Sequence, residues 1–86
     1  MRPVTIYSTD YCPYCRAAKS LLDKKGVPYT EIDLSEKDAE REQLTARTGQ
    51  RTVPQIFIGE THVGGFTDLE ALERKGQLDG LLHAAQ

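Results

Sequence analysis

The sequence predicts an α/β fold: a four-stranded mixed sheet flanked by helices on both faces. Three observations predict it. Apolar runs and helical patterns alternate as strand, helix, strand and helix, followed by a strand pair and a helix. A strand–helix–strand start places its two strands parallel, with a right-handed crossover. The later pair is separated only by Gly59-Glu60, a spacing that suits an antiparallel hairpin.

Val4–Ser8 reads as the first strand, rich in β-branched and aromatic residues. The first helix is expected from about Pro13 to Lys25, with Ala18, Leu21 and Leu22 on one face. Lys24 and Lys25 occupy its last turn, Gly26 suits a left-handed terminator, and Pro28 blocks continuation. Pro28–Leu34 contains the second strand, with Tyr29, Ile32 and Leu34 inward. Ser35 with Asp38 resembles a capping pair for a polar helix from about Glu36 to Thr48, ended by Gly49. Gln55–Ile58 is the third strand and His62–Val63 begins the fourth. Thr67 with Glu70 matches a capping box, so the third helix is expected to start at Thr67 and end at Gly76. Leu78–Ala85 reads as a short terminal helix weakened by Gly80. Tyr7, Tyr29, Phe57 and Ile58 are expected in the core.

The 86 residues suit one small domain spanning 1–86. No apolar run approaches the ~20 residues needed to cross a bilayer, and the start resembles no signal peptide. No membrane association and a cytoplasmic location are therefore expected. A net charge of −2 offers no reason to expect nucleic acid as partner.

The chemistry concentrates in Cys12-Pro13-Tyr14-Cys15, which holds the only two cysteines. The pair follows a strand and opens a helix. Close spacing in a chain with no export signal reads as redox or metal chemistry rather than a structural staple. Zinc needs two further ligands, and His62 and His83 lie far apart in sequence, so no metal is expected. Cys12 falls at the helix N-cap and Pro13 at the first helical position, where a missing N–H costs nothing. Unpaired backbone N–H groups, that of Cys15 included, and the positive end of the helix dipole then stabilise a Cys12 anion, with smaller help from Arg16 and Lys19. Cys15 lies one turn in, more buried and protonated. Cys12 is thus the attacking thiol and Cys15 the resolving one.

With this dithiol, Thr52-Val53-Pro54, Gly64-Gly65 and Thr67-Asp68 in the same order, the chain resembles a dithiol glutaredoxin over nearly its whole length, and most of all the short bacterial ones. The resemblance implies the thioredoxin fold and a glutathione-dependent thiol–disulfide oxidoreductase. Glutathione would be co-substrate, and disulfide-containing or glutathionylated proteins the substrates, with ribonucleotide reductase among them. A monomer is expected. The resemblance also implies a cis Val53-Pro54 bond, with the Val53 backbone pairing with the cysteine of glutathione as an added strand does. Gly65 would let backbone and ligand approach. Thr67, at a helix N-terminus, would face the γ-glutamyl carboxylate, and Asp68 the γ-glutamyl ammonium. Arg41 and Arg51 are candidates for the glycine carboxylate, and Tyr14 would flank the ligand. Thr9 stands where many relatives carry lysine, and Phe66 where many carry a smaller residue or cysteine. Two other functions compete: an iron–sulfur dimer ligated through glutathione, which Pro13 disfavours, and a redoxin served by thioredoxin reductase, which the Thr9 position favours and Thr67-Asp68 opposes.

Overall fold

The computed structural model describes residues 2–83. Its elements are β1 (Val4–Ser8), α1 (Pro13–Lys24), β2 (Thr30–Asp33), α2 (Asp38–Thr48), β3 (Gln55–Ile58), β4 (Thr61–Gly64), α3 (Phe66–Arg74) and α4 (Leu78–Leu82). The strands form one sheet in the order β2-β1-β3-β4. β1 runs parallel to β2 and antiparallel to β3, and β3 pairs antiparallel with β4. This is the mixed sheet that the element order predicts.

The period of two along the strands divides the core. Val4 and Ile6 of β1 and Ile56 and Ile58 of β3 face α1, α3 and α4, where they meet Ala18, Leu22, Leu69, Leu78 and Leu82. Fully burying one such aliphatic side chain is worth roughly 1.5–3 kcal/mol. The opposite face is thinner. There Phe57 joins Leu34 and Leu44, with Tyr7, Ile32 and Val53 packed around them. Leu44 is the one buried residue of α2, which is why that helix reads as polar. All four residues of β3 are buried because helices cover it on both sides. Tyr7 meets Phe57 edge-on at 5.8 Å, and the Arg47 guanidinium lies 5.2 Å from the Phe57 ring centre.

The expected helix terminators hold: Gly26, Gly49 and Gly76 take φ of 69°, 74° and 71°. Lys25 ties the end of α1 to two other helices, with Nζ 2.8 Å from Glu73 and 2.9 Å from Asp79.

Two expected helix starts are corrected. Ser35 does not cap α2, which begins later, at Asp38, without a side-chain cap. Its hydroxyl instead accepts the Asp10 N–H at 3.0 Å, while its own N–H donates to Asp33 Oδ1 at 2.8 Å. Nor does Thr67 cap α3. The cap is Gly65, and the carboxylate three residues on is Asp68, whose Oδ2 accepts the Gly65 N–H at 3.0 Å. Both pairings have the spacing of a capping box, and the register two residues earlier wins because Phe66 already packs against the larger core. α4 ends at Leu82; Ala84 and Ala85 of the expected terminal helix lie outside the described residues.

Candidate active site

β1 ends at Ser8, and the short segment after it delivers Cys12 to the N-cap of α1. Cys12 has extended backbone (φ −102°, ψ 110°), and Pro13 follows at the start of the helix. The Cys15 N–H donates to Cys12 Sγ at 3.1 Å. The sulfur therefore occupies the position of a capping oxygen, facing free N–H groups and the positive end of the helix dipole, where negative charge is favoured. The Cys12 thiol reaches Val53 O at 3.6 Å. Cys12 is 8% exposed and Cys15 is fully enclosed, and both are free thiols. Burial pushes the Cys15 thiol up to about 12, with its hydrogen bond to Cys12 adding to the shift and the Thr9 backbone pulling the other way. The Cys12 sulfur thus lies at the helix tip, and the Cys15 thiol is enclosed one turn into the helix.

A polar network lies behind Cys15. The Ser8 hydroxyl donates to Glu31 Oε2 at 2.6 Å, and Lys19 Nζ meets the same oxygen at 2.9 Å. Hydrogen bonds from Ser8 and then Lys19 hold the Glu31 carboxyl below its usual range, and Glu31 in turn raises Lys19. Lys19, expected to assist Cys12, is turned to Glu31. Thr9 is buried, with its hydroxyl unpartnered.

Beside the thiols runs a groove of about 230 Å³ lined by Tyr14, Thr52, Val53, Pro54, Gly65, Phe66 and Thr67. Three separate stretches of chain meet there. The Val53-Pro54 bond is cis. Gly64 has φ 114°, and a Cβ there would strike the Asp68 carboxylate, so glycine is required at that position. Gly65 has an ordinary extended backbone, and a Cβ there would meet only Pro54 O, at 3.6 Å. The Tyr14 and Phe66 rings stack with centroids 6.3 Å apart. Tyr14 and Tyr11 are 62% and 69% exposed.

Of the site residues expected from the sequence, Tyr14, Thr52, Val53, Pro54, Gly65 and Thr67 thus line one groove next to Cys12. Asp68 stands at its edge, engaged with Gly65. Arg41 and Arg51 line a separate polar pocket with Asp38, Glu42 and Thr45, and Arg51 Nη1 lies 3.3 Å from Glu42 Oε1. Sequence reasoning missed Gln55. This buried amide donates to Gln50 O at 2.9 Å and Thr52 O at 3.0 Å, pinning the segment that leads into the groove. A polar residue opening the apolar run Gln55-Ile56-Phe57-Ile58 was the available signal. A larger hollow of about 370 Å³ beside β4 contains neither thiol. Among the described residues no three His, Cys, Asp or Glu side chains converge on a metal position.

Comparison with known proteins agrees with this geometry. The glutaredoxin family model matches residues 4–63. A glutaredoxin of Pseudomonas aeruginosa is 57% identical over 84 residues, covering 98% of this chain and all of its own. Glutaredoxin 3 of Escherichia coli is 49% identical over 82 residues, covering 95% of this chain and 99% of its own. The solution structure of a glutaredoxin from Brucella melitensis superimposes with a TM-score of 0.88 at 49% identity, over 100% of this chain and 94% of the other. A crystal structure of a buckwheat glutaredoxin–glutathione complex gives a TM-score of 0.88 at 40% identity, over 94% of this chain and 76% of the other.

Proposed function

This chain belongs to the glutaredoxin family of thiol–disulfide oxidoreductases, and we propose that it reduces protein disulfides and glutathione mixed disulfides at the expense of glutathione. The carrying observation is Cys12 Sγ at 3.1 Å from the Cys15 N–H, at a helix N-terminus that opens onto the groove.

In the proposed cycle, the Cys12 thiolate attacks one sulfur of the substrate disulfide. The new bond joins Cys12 to that sulfur, and the departing thiolate takes a proton from solvent. With a protein disulfide, Cys15 then gives up its proton and attacks Cys12 Sγ. This forms the Cys12–Cys15 bridge and frees the second substrate thiol. The substrate has gained two electrons and two protons. Two glutathiones supply them back, leaving as glutathione disulfide and restoring both thiols. With a glutathionylated substrate, Cys12 takes up the glutathione alone and a second glutathione releases it.

The groove suits glutathione in three respects. The Val53 backbone can pair with the cysteinyl backbone as an added strand. The N-terminus of α3, at Thr67, offers N–H groups to the γ-glutamyl carboxylate. Asp68 keeps acceptor capacity for the ammonium beside its bond to Gly65. The glycine carboxylate would draw Arg41 or Arg51 from the neighbouring pocket. For Arg51 that means releasing Glu42, an exposed contact worth ~0–1 kcal/mol. A monomer in the cytoplasm, where thiols stay reduced, is consistent with this use; disulfide-containing and glutathionylated proteins, ribonucleotide reductase included, are the proposed substrates. No helix among the described residues is long and apolar enough to cross a membrane.

The test is a Cys12→Ser and Cys15→Ser pair in a glutathione-coupled reductase assay. Cys12→Ser should be inactive on every substrate. Cys15→Ser should lose protein-disulfide reduction and keep removal of glutathione. Full activity of Cys12→Ser would overturn the mechanism.

A further inference from the structure

Phe66 is the wall between two hollows. On one side lies the groove beside Cys12. On the other a trough of about 240 Å³ runs between α1 and α3, lined by Ala17, Ser20, Leu21, Lys24, Phe66 and Glu70. Phe66 is the one residue common to both, and Tyr14 stacks on it at the sulfur end. At about 240 Å³ the trough has room for one apolar side chain. Ala17, Leu21 and Phe66 make its apolar surface. Its two charged residues are not equally available. The Glu70 carboxylate is held by Arg74 at 2.7 Å, whereas Lys24 makes no ion pair among the described residues. Arg16, on the same helix, is exposed at the end nearer the sulfur. The uncompensated charge along this path is positive.

We propose that the trough receives the polypeptide part of the substrate, seating an apolar side chain on Ala17, Leu21 and Phe66 with an acidic residue beyond it facing Lys24. This rests on the reading of the neighbouring groove as the glutathione site: a glutathionylated polypeptide would lay its glutathione on one side of Phe66 and its own chain on the other. Helical rise sets the register. Ala17 to Leu21 lies roughly 7–14 Å along α1 from Cys12, and Lys24 about 18 Å. An extended chain advances ~3.3 Å per residue, so the apolar residue falls about three or four positions from the substrate cysteine and the acid about five or six. Phe66 is then a specificity-determining residue.

The test uses three substrates: glutathionylated cysteine, a glutathionylated peptide with leucine four and aspartate six positions to either side of its cysteine, and the same peptide with serine and asparagine there. The wild-type protein should favour the leucine–aspartate peptide by about tenfold in kcat/KM, the yield of partly burying one aliphatic side chain. The gain should appear in KM. Ser20→Glu and Lys24→Glu, both on the exposed surface of α1, should abolish the preference and leave turnover of glutathionylated cysteine unchanged. Equal kcat/KM for the two peptides, or a preference that survives both substitutions, overturns the proposal while glutathionylated cysteine is still turned over. Failure to turn over glutathionylated cysteine would instead overturn the glutathione groove, and the trough with it.

Discussion

Closure of the Cys12–Cys15 bridge should be steeply pH-dependent. Cys15 is completely enclosed, and its thiol is pushed up to about 12, by burial first. When Cys12 carries a mixed disulfide, its hydrogen bond with the Cys15 thiol and its repulsion of a Cys15 anion both disappear, but the burial, the largest cause, remains. The closure rate follows the thiolate fraction of the attacking sulfur. With burial, the largest cause of the upward shift, still in place, Cys15 stays mostly protonated across neutral pH, and its thiolate fraction grows about tenfold per pH unit. The measurement loads glutathione onto Cys12 at pH 4, where closure stalls, and then jumps the pH to values from 6 to 9. Acid quenching and mass spectrometry follow loss of the mixed disulfide. The logarithm of the rate should rise with a slope near one. A flat profile between pH 7 and 9 would refute the reasoning, since Cys15 would then ionise more readily than its burial allows. The same shift has a consequence for stability. The unfolded chain releases this proton near 9.0, the folded chain only near 12. The contribution to stability is thus complete below pH 9 and is lost as the pH rises toward 12, at about 1.4 kcal/mol per unit. Cys15→Ser should lack that alkaline decline.

Two further perturbations test the surroundings. Gly64→Ala places a Cβ against the Asp68 carboxylate at a φ of 114°, and should cost about 1–3 kcal/mol in urea unfolding while weakening glutathione binding; an unchanged midpoint counts against this account of the groove wall. Glu31→Gln removes the charged acceptor shared by Ser8 and Lys19, a loss of about 1–2 kcal/mol at pH 7 after allowance for partial exposure. Because the carboxyl is held below its ordinary 4.5, its stabilisation is present above that pH and disappears as the pH falls through the lower folded value. Melting curves of both proteins should therefore converge between pH 7 and pH 3, and a constant gap would contradict the network.

The thiol pair, its helix and the strand order were legible in the sequence because each depends on neighbours a few residues apart. Cys12 at an N-cap needs only Pro13 and the helical pattern behind it. The expected helix starts at Ser35 and Thr67 differ from the observed ones for a reason of the same scale. A capping pair three residues apart can be met in a second register, as at Gly65–Asp68, or lose its hydroxyl to another partner, and tertiary contacts decide: the Asp10 N–H takes the Ser35 hydroxyl, and Phe66 packs on the core and draws the start of α3 back to Gly65. The Ser8–Glu31–Lys19 network could not be read in advance. It joins two paired strands and a helix, and its members reveal nothing until Ile6 is known to stand opposite Glu31. The two faces of Phe66 were hidden likewise, since both hollows exist only once α1 and α3 lie side by side. Position along the chain places Arg41 and Arg51 near Thr52 but does not aim their side chains.

The two halves of the site have different mechanical footings. Cys12 and Val53 hang from β1 and β3, the inner strands, which run in opposite directions so that the end of one meets the beginning of the other at Tyr7 and Gln55. The opposite bank of the groove, from Gly65 to Thr67, is reached through β4, an outermost strand whose pairing is already irregular near Ile56. Fraying at that margin would loosen the grip on a bound tripeptide and leave the sulfur where it is, so amide exchange should quicken first along Thr61–Gly64 and last along Val4–Ser8, with the capacity to hold ligand lost before the reactive thiol is disturbed.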